Sequence, residues 1–210
     1  LVDQSGSMKE RIEEARLAAL GFLSEVMRAR DLGFIGGFSW GTNDLSPLVS
    51  DVASLRLQAS RMDEAEGATA LYDAIVSGLY RFRGVEGRKA LIIVTDGEDT
   101  ASRISRDEMI RYMRASRVPV YFIGIGLTRI DFITTSKLRR LSEETGGAAH
   151  FVGGVDELDK AYASIEAELR SQYLLGYYTG AVGDEESYRS VEVDVPGREV
   201  TVRSIRGYIP

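Results

Sequence analysis

The chain has 210 residues, 44% of them hydrophobic and 28% charged, which suits one globular domain or one domain with an appendage. The formal net charge of −6, without a basic block, argues against nucleic acid as a partner. The lack of cysteine excludes disulfides, thiolate metal sites and cysteine nucleophiles, and no apolar run is long enough to insert into a membrane.

The first half of the chain alternates apolar strands with amphipathic helices. Leu1 and Val2 predict the end of a first strand. A buried strand usually needs about five residues, so we expect part of it upstream of Leu1 in a longer precursor. The elements predicted next are a helix at 8–30, a strand at 32–40, a strand at 43–49 and helices at 51–62 and 68–82. Pro47 favours an edge position for the second of these strands, and Asp51 is a candidate N-cap.

The second half continues the alternation. The predicted elements are strands at 90–94, 118–125 and 148–152 and helices at 106–116, 135–145 and 155–173. The unbroken aliphatic run at 90–94 is typical of a strand that is covered on both faces. Alternating strands and helices predict an α/β fold with a doubly wound, mainly parallel sheet flanked by helices.

The last residues have a different pattern. Valines alternate over 189–195, Pro196-Gly197 has the composition of a turn, and a second strand is predicted over 199–205. We therefore predict that residues 1–173 form one α/β domain and that residues 174–210 form a C-terminal β extension, a hairpin packed on that domain.

Oxygen-bearing side chains stand at the ends of two predicted strands. Asp3 ends the first strand, with Ser5 and Ser7 in the following loop, and Asp96 ends the strand at 90–94. If the strand order is 3-2-1-4-5-6, these two strands are neighbours at the switch point where open α/β sheets bind ligands. Thr69, at the start of another helix, can reach the same crevice. Such a group of oxygens suits a hard divalent cation.

These residues carry a clear resemblance. Asp-x-Ser-x-Ser at Asp3, Ser5 and Ser7, a threonine before a helix at Thr69, and Thr-Asp-Gly at Asp96 together resemble the von Willebrand factor type A domain, in particular a bacterial branch of it. The resemblance implies a Rossmann-like fold with a metal-ion-dependent adhesion site. It also implies that the serines ligate the cation directly, that Thr69 does so directly or through water, and that the aspartates act largely through water or by orienting hydroxyls.

A function follows from this chemistry. Mg²⁺, or Mn²⁺ or Ca²⁺ in its place, held mainly by neutral hydroxyls remains electrophilic and attracts an anionic ligand. We expect a non-enzymatic adhesion or interaction module in which a protein partner offers an acidic side chain to the metal. Resemblance alone favours a location at the cell envelope or outside the cytoplasm.

Two alternatives stay open. A Mg²⁺-dependent hydrolase of the aspartyl phosphatase type would use an acidic strand end, but the second acid it needs would fall at Ser5. A structural domain with a vestigial metal site is the other, and the complete set of five residues argues against it. The only histidine, His150, is expected to pack or to lie at the surface. Trp40 is expected either in the core or at the rim of the binding face.

Overall fold

The computed structural model describes residues 1–43, 45–62, 65–127, 131–173, 175–176, 178, 188–197, 200 and 202–208. Its main sheet is built from β1 (Val2–Asp3), β2 (Gly37–Phe38), β3 (Thr42–Asn43), β4 (Leu91–Thr95), β5 (Val120–Ile125) and β6 (Ala149–Val152). The strand order is β3-β2-β1-β4-β5-β6, with β3 antiparallel to β2 and the other pairs parallel. The predicted doubly wound sheet is confirmed, and β1 lies between β2 and β4.

Helices cover both faces of this sheet. They are α1 (Ile12–Val26), α2 (Val52–Ala59), α3 (Leu71–Tyr80), α4 (Arg106–Ser116), α5 (Phe132–Glu143) and α6 (Leu158–Arg170), with short 3₁₀ turns at Gly6–Met8 and Val155–Glu157. Asp51 caps α2 as predicted, because its carboxylate accepts a hydrogen bond from the Ser54 N–H at 2.7 Å. Ser105 and Glu108 form a capping box at the start of α4.

The core has two layers, one on each face of the sheet. Along β5, Val120 and Phe122 point to the layer under α3, α4 and α5, whereas Tyr121 and Ile123 point to the layer under α1 and α6. This alternation follows from the two-residue period of a strand. The aliphatic run of β4 is therefore buried on both faces, as its composition predicted.

The segment predicted as a strand over 32–40 is regular only at β2. Upstream of it, the Ile35 N–H donates to the Ser46 hydroxyl, the Ser46 N–H donates to the Ile35 carbonyl, and Gly33 forms an isolated bridge with Val49. The backbone of this segment is thus hydrogen-bonded partly to the Ser46 side chain in the loop around Pro47. The regular pairing of backbone groups between strands is interrupted there.

The C-terminal residues include a separate antiparallel pair, β7 (Arg189–Ser190) with β8 (Gly207–Tyr208). The pairing is shorter than the predicted hairpin, and residues 198, 199 and 201 of its second half lie outside the described residues. Gly197 has a φ of +75°, as the predicted turn requires. Arg114 of α4 stacks on the Tyr188 ring at 4.8 Å, and Arg206 pairs with Glu143 of α5. The division of the chain at residue 173 stays a prediction.

Within the described part of the chain, no helix has the combined length and apolar character that a bilayer span requires.

Candidate metal centre

The predicted site lies at the carboxyl edge of the sheet, where β1 and β4 end side by side. Val2 is in register with Val94, so Asp3 at the end of β1 and Asp96 just beyond β4 face the same crevice. The chain leaves β1 toward α1 and β2 on one side, and leaves β4 toward α4 and β5 on the other. The crevice is thus the switch point of the sheet, the usual ligand position in this class of fold.

A line of hydrogen bonds joins three of the predicted residues. The Ser7 hydroxyl donates to Asp96 Oδ1 at 2.8 Å, and the Oγ atoms of Ser5 and Ser7 are 3.1 Å apart. Ser5 is buried at 2% exposure, whereas Ser7 is exposed. The line is therefore open to a ligand at its middle, where Ser7 faces solvent, whereas its two ends are largely buried, with 7% of the Asp96 side chain exposed.

Asp3 lies beneath this line and is fully buried. Its Oδ1 accepts a hydrogen bond from the Ser5 N–H at 2.8 Å, and its Oδ2 accepts one from the Thr95 hydroxyl at 2.5 Å. The Gly97 N–H in turn donates to Thr95 Oγ1 at 3.2 Å. The Asp3 carboxylate is therefore fixed from both sides and holds the loop that carries Ser5.

Thr95 did not emerge from the sequence as a site residue. The sequence nevertheless contained a pattern that could have identified it, because Thr95 is the polar end of an otherwise aliphatic strand and directly precedes Asp96.

Thr69 lies on a second loop, which is fastened to the first by backbone hydrogen bonds. The Gly6 N–H donates to the Gly67 carbonyl at 3.0 Å, and the Glu66 N–H donates to the Gln4 carbonyl at 2.8 Å. Thr69 itself is buried at 5% exposure. In the described part of the chain its hydrogen bonds run to residues 100 and 101, and they join its loop to the segment after β4 rather than to the other four residues.

The electrostatics of the crevice favour a bound positive charge. Burial raises the pKa of Asp3, although hydrogen bonds from Thr95 and Ser5 oppose the shift. Burial likewise raises the pKa of Asp96, opposed by the Ser7 hydroxyl and by Arg11, whose Nη1 lies 3.7 Å from Asp96 Oδ2. Two desolvated carboxylates that share one crevice oppose each other's ionisation. A bound cation would offset the electrostatic cost of having both ionised.

The donor set fits a hard divalent cation. Adjacent ligands in an octahedron with bonds of about 2.05 Å are about 2.9 Å apart, close to the 3.1 Å between the Ser5 and Ser7 hydroxyls. No cluster of three or more His, Cys, Asp and Glu side chains occurs among the residues that the structure describes. The candidate set therefore depends on hydroxyls together with two carboxylates.

The neighbouring acidic residues have structural partners. Glu98 forms an ion pair with Lys137 at 2.6 Å, and Asp99 accepts a hydrogen bond from the Tyr72 N–H at the start of α3. Asp73, in the first turn of α3, accepts hydrogen bonds from the N–H groups of residues 103 and 104 in the segment before α4.

Trp40 lies at the rim of the same edge. Its side chain is 67% exposed, and its indole covers Gly67 so closely that a Cβ there would be 1.9 Å from Nε1. Of the two positions expected for Trp40, the structure has the rim.

Comparison with known proteins is consistent with this geometry. A family model described as von Willebrand factor type A domain matches residues 1–163. No curated protein matches the chain. A von Willebrand factor type A structure from Catenulispora acidiphila superposes with a TM-score of 0.66 at 18% identity and covers 80% of this chain, which spans 41% of it.

Two further solved structures share the fold. An aerotolerance-related membrane protein from Bacteroides fragilis gives a TM-score of 0.64 at 20% identity, with 81% of this chain and 96% of that one covered. Proximal thread matrix protein 1 from the mussel byssus was solved with zinc in its metal-ion-dependent adhesion site (MIDAS) motif. It gives a TM-score of 0.62 at 17% identity, with 80% of this chain and 44% of that one covered. At these identities the likeness concerns the fold.

Proposed function

Because this chain belongs to the von Willebrand factor type A family, we propose that it is a divalent-cation-dependent protein-binding module. Asp3, Ser5, Ser7, Thr69 and Asp96 form its cation site, and an acidic side chain of a partner protein completes the coordination. The family is generally one of interaction modules, and one neighbour of the same fold has zinc in its metal-ion-dependent adhesion site. Mg²⁺ is the ion that we expect, with Mn²⁺ or Ca²⁺ as substitutes.

The observation that carries this proposal is the hydrogen-bonded line from Asp96 through Ser7 to Ser5. The Ser7 proton is directed to Asp96 at 2.8 Å, so the Ser7 oxygen can only accept in its 3.1 Å contact with Ser5, and its second lone pair stays free for a cation. Asp3 keeps the Ser5 backbone in place through a 2.8 Å hydrogen bond. The two carboxylates thus supply negative charge and orientation, and the hydroxyls supply ligand atoms.

A bound cation would contribute a positive centre that attracts a carboxylate. The residues of the chain determine what can reach it. Ser7 is exposed, and large apolar side chains are exposed on elements that end or begin at the same edge of the sheet. Trp40 follows β2, and Phe132 and Ile133 begin α5 with exposures of 71% and 67%. Exposed aromatic residues beside a charged site favour a protein partner over a small free anion.

The proposal includes the absence of enzymatic activity. A nucleophilic aspartate needs a free oxygen in contact with substrate, but both oxygens of Asp3 accept hydrogen bonds and the residue is fully buried. Asp96 is engaged by Ser7 and lies next to Arg11. A generic phosphoester assay with Mg²⁺ tests this point. Turnover that Asp96→Asn abolishes would contradict it.

Thermal unfolding with and without the cation tests the site itself. Mg²⁺ at 100 times its Kd stabilises the folded state by about 2.7 kcal/mol if it does not bind the unfolded chain. We expect a concentration-dependent rise in Tm for the wild type and for Ser50→Ala, a control at an exposed serine in a bend of the chain. Ser7→Ala should lose most of this rise. Equal responses of the three proteins would contradict the assignment.

A second experiment tests the partner. Immobilised wild-type chain should capture a protein from a lysate of its source in Mg²⁺ and release it in EDTA. Thr69→Ala should fail to capture it, while Ser50→Ala captures it normally. Capture that is independent of the metal would mean that binding uses another surface.

A further inference from the structure

Arg11 is a basic residue in direct contact with the candidate metal centre. It follows the 3₁₀ turn that carries Ser7 and occupies the N-cap position of α1. Its backbone is fixed at both ends, because its N–H donates to the Met8 carbonyl at 2.7 Å and its carbonyl accepts from the Ala15 N–H at 2.9 Å. The side chain therefore starts from a fixed backbone position next to the turn that carries Ser7.

Two surfaces hold the guanidinium. Nη1 lies 3.7 Å from Asp96 Oδ2, on the carboxylate whose other oxygen accepts the hydrogen bond from Ser7. On the far side the group rests on Gly126, just after β5, where a Cβ would be only 2.9 Å from Arg11 Cζ. Gly126 has a φ of +69°, which favours glycine and leaves this space open. The Arg11 side chain remains 39% exposed, so it can also meet an incoming ligand.

The charges in the crevice give Arg11 a specific effect. Asp3 and Asp96 contribute two negative charges when ionised, and a divalent cation alone would neutralise them. With Arg11 present, the cation-free site has one negative charge in excess and the cation-loaded site has one positive charge in excess. The count covers these three side chains alone; of the neighbouring acids, Glu98 is paired with Lys137 and Asp99 accepts a hydrogen bond from the Tyr72 N–H. The excess positive charge of the loaded site is what an acidic ligand neutralises.

We propose that Arg11 is a specificity-determining residue that couples cation binding to binding of a carboxylate ligand. It pairs with Asp96 and repels the cation, so the cation alone binds more weakly. It adds positive charge to the loaded site, so a carboxylate binds more tightly. This inference rests on the proposed cation site. It goes further because Arg11, which is not one of the five proposed site residues, then determines that the cation-loaded site selects an anionic ligand.

Mn²⁺ binding to the full chain, followed from the electron paramagnetic resonance signal of the free ion, tests the first half. Removing the positive charge that lies 3.7 Å from the Asp96 carboxylate should tighten Mn²⁺ binding by about tenfold. We expect this for Arg11→Gln, and wild-type behaviour for Arg11→Lys within a few fold. Lys9→Gln is the matched control, since Lys9 is an exposed basic residue in the same segment.

Acetate is the carboxylate probe for the second half, compared with chloride at equal ionic strength and corrected for the complex of acetate with free Mn²⁺. By linkage, acetate should increase the Mn²⁺ affinity of the wild type more than that of Arg11→Gln. The proposal is wrong if Arg11→Gln binds Mn²⁺ no tighter than the wild type, if Lys9→Gln tightens binding equally, or if acetate acts equally on both proteins. Absence of Mn²⁺ binding in every variant would instead overturn the cation site itself.

Discussion

Replacing Thr95 by valine tests whether the buried support of the site controls cation binding. The side chain is fully buried at the end of β4, and its hydroxyl is the donor to Asp3 Oδ2 at 2.5 Å. Valine has nearly the same shape, so Thr95→Val removes the hydroxyl without leaving a cavity. The Asp3 carboxylate then keeps its hydrogen bonds with Ser5, from the backbone N–H at 2.8 Å and from the side chain.

The size of the effect follows from the charge on Asp3. A hydrogen bond to a charged group contributes about 1.5–3 kcal/mol, and a buried acceptor left without its donor incurs a comparable desolvation penalty. We expect Thr95→Val to lower the free energy of unfolding by about 2–3 kcal/mol at neutral pH. For a chain of this size that corresponds to a Tm lower by about 4–12 °C. Since Asp3 orients the Ser5 loop, Mg²⁺ affinity should fall by about tenfold.

Thr145→Val is the matched control. Thr145 is also buried, and its hydroxyl accepts from the Val120 N–H at 2.9 Å and donates to the Ser142 carbonyl at 3.0 Å, at the opposite edge of the sheet. This change should lower stability by about 1–3 kcal/mol and leave Mg²⁺ affinity unchanged. Urea unfolding measures the stabilities and calorimetric titration measures the affinities. If Thr95→Val retains wild-type affinity, or Thr145→Val loses as much, the role given to Thr95 is refuted.

Three further predictions concern the same structure. Gly67→Ala should lower stability by about 1–3 kcal/mol in urea unfolding, because φ is +82° there and the Trp40 indole occupies the Cβ position; an unchanged midpoint would be inconsistent with this contact. Burial raises the pKa of Asp3 and Asp96 above the ordinary 3.8, so these two groups bind more protons in the folded state than in the unfolded chain in the window above that pH. The Tm of the cation-free wild type relative to that of Asp96→Asn should therefore fall as pH rises through this window, and Mg²⁺ should reduce the decline; a rising difference would contradict the sign. Arg206→Ala should speed hydrogen exchange in the C-terminal residues and leave α5 protected, whereas wild-type residues already exchanging at the intrinsic rate would show that this extension is not packed.

Hydrophobic periodicity predicted most of the architecture correctly. The helix over 106–116 has the predicted bounds, because a capping box marks its start and Arg117, with a φ of +54°, ends it. The first helix is shorter than predicted. Gly6–Met8 forms a 3₁₀ turn and Met27 is extended, so α1 begins at Ile12 and ends at Val26. Periodicity detects the buried face of a helix, but it does not detect where tertiary contacts interrupt the backbone.

The candidate site was only partly readable from the sequence. The motif residues Asp3, Ser5, Ser7 and Asp96 lie together because their loops leave adjacent parallel strands, which the alternation of elements implied. Thr95 and Arg11 were not identified. Their contacts with the aspartates depend on side-chain direction in the folded protein, and the hydrogen bond from Thr95 joins positions 92 apart in the chain.

The long-range side-chain hydrogen bonds of the site bear on folding kinetics. The bonds from Thr95 to Asp3 and from Ser7 to Asp96 close loops of 92 and 89 positions, so they require β1 and β4 to be paired first. Contacts of such sequence separation are expensive in chain entropy and form late in folding. A cation bound there would stabilise the native state more than the transition state. We therefore expect Mg²⁺ to slow unfolding while leaving the refolding rate nearly constant, which would make the ion a determinant of how long the domain stays folded once assembled.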